Sequence, residues 1–178
     1  PSTVLNDISD HWAKDKISQW VNGGIVSGYG DGTFKPDNNI TRAEFMALVN
    51  RSFGFNKKAA TNFTDVQRTD WFYDEVVKAI AAGYISGYPD GTVKPNKEIS
   101  RQEAAVALCK ALNLFVKPQA LNFTDRDSIP SWSRDYIGTL AEKAYMTGYP
   151  DGSFRPDRLI TRAETITMLD KALAGEKG

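Results

Sequence analysis

The chain has 178 residues, enough for one sizeable core. Its 22 Lys and Arg balance 22 Asp and Glu, so it lacks the basic footprint of a nucleic-acid binder and any general attraction to anionic membranes. No apolar run approaches the ~20 residues of a membrane span, and a single cysteine, Cys109, excludes an internal disulfide.

In chain order, a short apolar-Asp signal comes first, Leu5-Asn6-Asp7-Ile8. A helix follows, because Trp12, Lys16/Ile17 and Trp20/Val21 share one face at helical spacing, with Asp10 placed to cap it. Gly23-Gly24 ends this helix. The apolar pair Ile25-Val26 leads into a glycine-rich turn, Gly28-Tyr29-Gly30-Asp31-Gly32, with Asp-Gly at its tip, and Pro36 closes the irregular segment. A second helix starts at Thr41, whose hydroxyl and Glu44 three residues on form a capping box. Ile40 and Phe45 add a hydrophobic staple, and the apolar run from Phe45 to Val49 predicts a central core helix.

The same series then recurs twice. The second copy holds Phe63-Thr64-Asp65-Val66, Trp71, Gly83, Gly87-Tyr88-Pro89-Asp90-Gly91, Pro95 and Ser100-Arg101-Gln102-Glu103. The third holds Phe123-Thr124-Asp125, Trp132, Gly148-Tyr149-Pro150-Asp151-Gly152, Pro156 and Thr161-Arg162-Ala163-Glu164, with Lys143-Ala144 where the second has Gly83. The Trp landmarks step by 59 residues (12 to 71) and then by 61 (71 to 132), and the Gly and Arg landmarks step with them. The expected fold class is therefore mainly α, three helix-loop-helix repeats with short strand-like pieces, at 1–58, 59–118 and 119–178. Each repeat is near the lower size limit for independent folding, so the three are expected to form one cooperative unit. Residues 174–178 are expected to fray.

The capping box accounts for Thr and Glu of the T-R-A-E start but not for Arg42, Arg101 and Arg162. At the first helical position a cation is unfavourable by roughly 0.3–1 kcal/mol. Two readings stand. Each Arg pairs with a nearby carboxylate such as Asp31 or Glu44, or the free N–H groups of the helix start and the guanidinium fork together hold an anionic ligand. Gly28, Gly87 and Gly148 precede the turn tip, where a second glycine permits close approach of a ligand or another backbone. Ser27, Ser86 and Thr147 precede those glycines. Trp12, Trp71 and Trp132 are expected in the core, with partial exposure open to a Trp at a helix start, where it stacks on a sugar or covers an Arg stem. Lys35, Lys94 and Arg155 form a second repeated basic position, lining a groove or paired with a nearby Asp.

Catalysis finds little support. His11, the single histidine, reads as a surface residue at a helix start, and Cys109 as a small core residue within an apolar helix. The Asp-Gly turns lack the alternating acidic ligands of a calcium loop, and no carboxylate pair is free of a structural role. No enzyme activity, metal or cofactor is expected.

These residues resemble the S-layer homology (SLH) motif, whose pattern runs F-x-D, H-W-A, G-I-I-x-G-Y, D-G-T-F-x-P and I-T-R-A-E-F. The first copy matches through Asp7, His11-Trp12-Ala13, Gly24 to Tyr29, Asp31 to Pro36 and Ile40 to Phe45. The second departs at Val93 and Gln102, and the third at Ser131 and Thr165. The resemblance implies a pseudo-threefold, spindle-like body with grooves between motifs. It further implies binding of a secondary cell-wall polymer of a Gram-positive-type bacterium, in many members through a pyruvylated N-acetylmannosamine. On this view the three Arg residues hold the ketal carboxylate, the Gly and Ser/Thr positions contact the sugar, and the Trp residues shape the groove. The resemblance also implies a secreted cell-surface anchor, here a monomer as an isolated domain. The rival expectation is a structural or protein-interaction repeat in which the Arg residues close inter-repeat salt bridges and no glycan binds. Pro1 reads as a processed or truncated start, so the missing leader does not argue for the cytoplasm.

Overall fold

The computed structural model describes residues 4–177. It is mainly α, with two helices per repeat: α1 (Lys14–Asn22), α2 (Arg42–Phe53), α3 (Tyr73–Ala82), α4 (Arg101–Ala111), α5 (Ser131–Glu142) and α6 (Arg162–Glu176). The strand-like pieces are three isolated bridges, Asn39 with Thr161, Thr41 with Glu98 and Ser100 with Leu159.

Those bridges surround a closed ring. The Ile40 N–H donates to the Ile160 carbonyl (3.2 Å), Ile160 to Ile99 (3.1 Å) and Ile99 back to Ile40 (3.1 Å). Each of these isoleucines immediately precedes a helix cap, and all three side chains are buried. Buried backbone groups need partners, and here each repeat supplies the partner of the next. The ring marks a pseudo-threefold axis.

The helices that pack are not those of one repeat. The second helix of each repeat lies against the first helix of the following one: α2 on α3, α4 on α5, and α6 back on α1. One apolar cluster runs through all three repeats, including Phe34, Val93 and Phe154 from the three turns. The staple partners Ile40 and Phe45 are both buried, and Ala104 and Thr165 take the place of Phe45 without exposure. The buried Thr165 hydroxyl donates to the Thr161 carbonyl at 2.8 Å.

The apolar-Asp signals have a shared task. Asp7 accepts the N–H groups of Phe34 and Lys35 at 2.8 and 2.7 Å. Asp65 does the same for Val93 and Lys94, and Asp125 for Phe154 and Arg155. These clamps hold Lys35, Lys94 and Arg155 at positive φ (55°, 50° and 56°), which turns the chain toward the ring. Burial works against ionisation of Asp7, but the two N–H donors outweigh it and hold the carboxyl below the ordinary range. At the turn tips, the hydroxyl and N–H of Thr33, Thr92 and Ser153 likewise hold Asp31, Asp90 and Asp151 low.

A carboxyl whose folded pKa lies below its unfolded value of about 3.9 contributes fully above that value. The contribution fades as pH falls through the depressed folded value. Urea midpoints should therefore be flat between pH 7 and pH 5 and fall between pH 4 and pH 2. Asp7→Asn should start lower at pH 7 and fall less steeply.

Two boundaries differ from the sequence reading. Asp10 does not cap α1, which begins four residues later, behind Ala13, with no side-chain cap. The segment expected to fray is helical through Glu176, whose carboxylate accepts from the Tyr145 hydroxyl (2.8 Å) and the Lys143 ammonium (3.2 Å). Gly178 lies outside the described residues.

The end of the first helix in each repeat needs a left-handed residue. Gly24 and Gly83 supply it at φ 71° and 78°, and Ala144 adopts it at 58°. An L-residue there costs roughly 1–2 kcal/mol, part of which a glycine forfeits as unfolded-state entropy. Ala144→Gly should therefore raise stability by about 0.5–1 kcal/mol, read as a higher urea midpoint at unchanged slope.

Candidate ligand-binding grooves between the repeats

Arg42, Arg101 and Arg162 are buried, at 6%, 4% and 8% exposure. The helix starts beside them are not open to an anion. The first two N–H groups of α2 donate to the Lys97 and Pro95 carbonyls, those of α4 to Arg158 and Pro156, and those of α6 to Asn38 and Pro36. The third N–H donates to the cap hydroxyl of Thr41, Ser100 or Thr161. The reading of free helix N–H groups is thereby corrected: the acceptors of the first two in each helix come from another repeat, outside the reach of local spacing.

Each Arg side chain crosses the same boundary. Arg101 donates through Nε to the Phe154 carbonyl (2.9 Å), through Nη1 to Glu164 (2.6 Å) and through Nη2 to the Thr147 carbonyl (2.9 Å). Arg42 repeats the first two contacts with Val93 (2.9 Å) and Glu103 (3.1 Å). Arg162 donates to the Phe34 (3.0 Å) and Ser27 (3.3 Å) carbonyls and lies 3.5 Å from Glu44. The guanidinium carbons sit 5.1, 4.6 and 5.0 Å from the ring centroids of Tyr88, Tyr149 and Tyr29. The capping glutamate of one repeat is thus also the ion-pair partner of the preceding repeat's arginine, as the expectation of a carboxylate pairing across repeats allowed, with Glu44 and its counterparts and not Asp31 as the partner.

Two open cavities lie over these contacts. One, of about 470 Å³, is bounded by Arg101, Thr147, Gly148, Tyr149, Glu164 and Trp12. The other, of about 430 Å³, is bounded by Arg42, Ser86, Gly87, Tyr88, Glu103 and Trp132. Both fall within the roughly 300–1,000 Å³ usual for ligand sites. Each draws its Arg from one repeat, its turn from the next and its Trp from the remaining one. At the corresponding turn of the first repeat, a cavity is lined by Ser27, Gly28, Tyr29 and Arg51, without Arg162 or Trp71.

The tryptophans are not core residues. Trp12, Trp71 and Trp132 are 64%, 62% and 52% exposed, and the buried anchors of the first helices are Ile17, Trp20, Val76 and Ile137. His11 stacks on Trp12 at 5.3 Å and accepts the Ala13 N–H at Nδ1, so its Nε2 carries the proton it donates to Asp37 (3.1 Å).

The pre-tyrosine glycines answer to their own loop. A Cβ on Gly28 would lie 2.9 Å from the Thr33 carbonyl oxygen and 2.7 Å from the Leu5 side chain. Gly148 would meet the Ser153 carbonyl and Phe123 in the same way, and Gly87 would meet Phe63. Ser27 and Thr147 present backbone carbonyls, not hydroxyls, to the arginines. Lys35 and Lys94 lie over Tyr29 and Tyr88, and Arg155 pairs with Asp151 (2.9 Å); none of the three lines a described cavity.

The sequence reading also passed over the cations that do line the cavities. Lys97 and Lys110 stand in the Arg42 groove, and Arg158 and Lys171 in the Arg101 groove. Arg51, Lys110 and Lys171 share the spacing of the repeat, a signal available in the sequence.

Among the described residues, no group of His, Cys, Asp and Glu is arranged to hold a metal, and no helix is long and apolar enough to cross a membrane. Burial pushes the Cys109 thiol up to about 12, the state of an unreactive core residue.

A tandem of three interlocked helix-loop-helix units with open grooves at two of the junctions is the class this geometry defines. The S-layer homology domain matches three times, over residues 5–46, 62–105 and 122–166. The chain belongs to this family. It is 35% identical to a cellulosome-anchoring protein of Acetivibrio thermocellus, over 84% of this chain and 35% of that protein. It is 32% identical to cell surface glycoprotein 1 of the same organism, over 83% of this chain and 7% of that protein. A surface-layer 125 kDa protein of Lysinibacillus sphaericus is 26% identical over 95% of this chain and 15% of its own length. The chain thus spans about a third or less of each of these relatives.

Proposed function

We propose that this chain is a non-covalent anchor, holding an exported protein to the surface of a Gram-positive-type bacterium by binding a secondary cell-wall polymer in its inter-repeat grooves. The ligand unit is a pyruvylated N-acetylmannosamine, with its ketal carboxylate directed at the Arg of the groove and its ring against the turn backbone and the exposed Trp. The observation that carries this reading is the convergence of a buried guanidinium, an open cavity and an exposed tryptophan from three separate repeats. A solvent-exposed indole is costly to leave bare, and a sugar face is a natural cover for it. Membership of the S-layer homology family and the names of the surface-layer and cellulosome-anchoring relatives support a cell-surface role. Several grooves on one body would gain avidity on a repeating polymer. The domain acts as a monomer, without catalysis, metal or cofactor.

A second reading has its own observation. The Arg residues are engaged across the repeat boundaries before any ligand arrives, as a purely structural repeat would require. Calorimetric titration separates the two. The probes are a pyruvylated N-acetylmannosamine glycoside and the same sugar without the ketal. Ketal-dependent heat that disappears in a folded Arg101→Lys variant supports the anchor, because Lys keeps the charge but loses the fork. No heat from either sugar supports the structural repeat.

A further inference from the structure

The three junctions are built alike but charged differently. In each, one residue of the turn accepts the first N–H of the preceding repeat's helix through its carbonyl: Lys97 from Arg42 (2.8 Å), Arg158 from Arg101 (2.8 Å) and Asn38 from Arg162 (2.9 Å). The same three residues each donate their own N–H back to Lys94, Arg155 and Lys35. They are equivalent in backbone position, and the Lys97 and Arg158 side chains line the cavities that hold Arg42 and Arg101. Two are cationic and one is a neutral amide.

This difference matters because the buried arginines are already paired. Arg101 lies 2.6 Å from Glu164, and Arg42 lies 3.1 Å from Glu103. An incoming carboxylate meets a guanidinium whose charge is largely cancelled by that glutamate. The attraction for an anion then depends on the further cations of the groove. Arg51, Lys110 and Lys171 recur in all three repeats and cannot distinguish them. Position 38/97/158 can. Lys97 is 3.8 Å from Glu103 and 5.8 Å from the Tyr88 centroid, while Arg158 is 4.9 Å from the Tyr149 centroid. Both line their cavities, and the cavity at the first repeat's turn has neither Asn38 nor Arg162 in its wall.

Resting on the anchor reading, we propose that Lys97 and Arg158 are specificity-determining residues: they make the Arg42 and Arg101 grooves the binding sites for the acidic sugar, and Asn38 leaves the Arg162 junction weak. The domain is thus two-sited, and the side chain at this position ranks the grooves.

The test is titration of the intact chain with the pyruvylated N-acetylmannosamine glycoside, with the ketal-free sugar in parallel. The variants are Lys97→Asn, Arg158→Asn and Asn38→Lys. All three positions are exposed, so folding should be unaffected and is checked by the urea midpoint. The wild type should bind two equivalents. Each Asn variant should weaken one site by about tenfold, the scale of one lost charged hydrogen bond. Asn38→Lys should add a third site. Three equal sites in the wild type, or unchanged binding in both Asn variants, would overturn the ranking while leaving the anchor standing. No ketal-dependent binding by the wild type would overturn the anchor reading and the ranking together.

Discussion

Replacing Arg101 by Ala should destabilise the protein by about 3–5 kcal/mol, the scale seen when one partner of a buried pair is removed. The guanidinium satisfies the Phe154 and Thr147 carbonyls and Glu164 at once, all in the following repeat. It also packs 4.6 Å from Tyr149 and 4.7 Å from the Phe154 ring. Truncation leaves two carbonyls and a carboxylate short of a donor in a place that water reaches poorly. Glu164 also caps α6, through its N–H on Thr161 and its carboxylate on the Thr161 N–H, so the damage extends into the helix start. Among the three arginines this should be the largest loss. Arg42 has a longer ion pair (3.1 Å), and that of Arg162 is longer still (3.5 Å). Urea unfolding of the three Ala variants measures the order. A loss below about 1 kcal/mol for Arg101→Ala would mean the guanidinium is not a tie between repeats. Ligand titrations on Ala variants must be read beside these midpoints, because a groove that has come apart binds nothing for reasons unrelated to its chemistry.

The sequence carried the local half of this design. Thr41, Ser100 and Thr161 are caps, as their spacing to Glu44, Glu103 and Glu164 predicts. The complete reciprocal box forms only at Thr161. In the other two the cap hydroxyl itself donates to the glutamate. A pairing of the arginines with these glutamates was legible, but not which with which, because the partner lies 61 or 63 residues away in the chain for Arg42 and Arg101. The same distance hid the acceptors of the helix N–H groups. Trp12 misled for another reason. Its spacing to Lys16 and Trp20 fits one helical face, but the helix begins only at Lys14, and Trp12 sits on the turn before it. Periodicity counts residues on the assumption that a helix is already running. Gly28 was legible as a close approach, and the approaching group is the Thr33 carbonyl of its own turn.

A fragment ending at residue 118, two complete motifs by sequence, should not fold. Sequence repeats and packing units are out of step in this chain, since each second helix packs on the first helix of the next repeat. The cut removes α5 from α4 and α6 from both α1 and α2, leaving only α2 with α3. Two of the three hydrogen bonds of the isoleucine ring disappear with Ile160, and Arg101 loses Phe154, Thr147 and Glu164 together. Domains of this size are stable by only about 5–15 kcal/mol, and the loss of three of the four helix interfaces exceeds that margin. Far-ultraviolet circular dichroism of the fragment should show little helix and no cooperative transition in urea, whereas the intact chain should unfold in a single step. A folded, cooperatively melting fragment would mean that α2 and α3 form an independent core, and that ring closure adds to stability without being required for it. An unfolded fragment, the expected result, means that the third motif is needed for the fold of the first two as well as its own, because the last helix completes the interface that the first one opens.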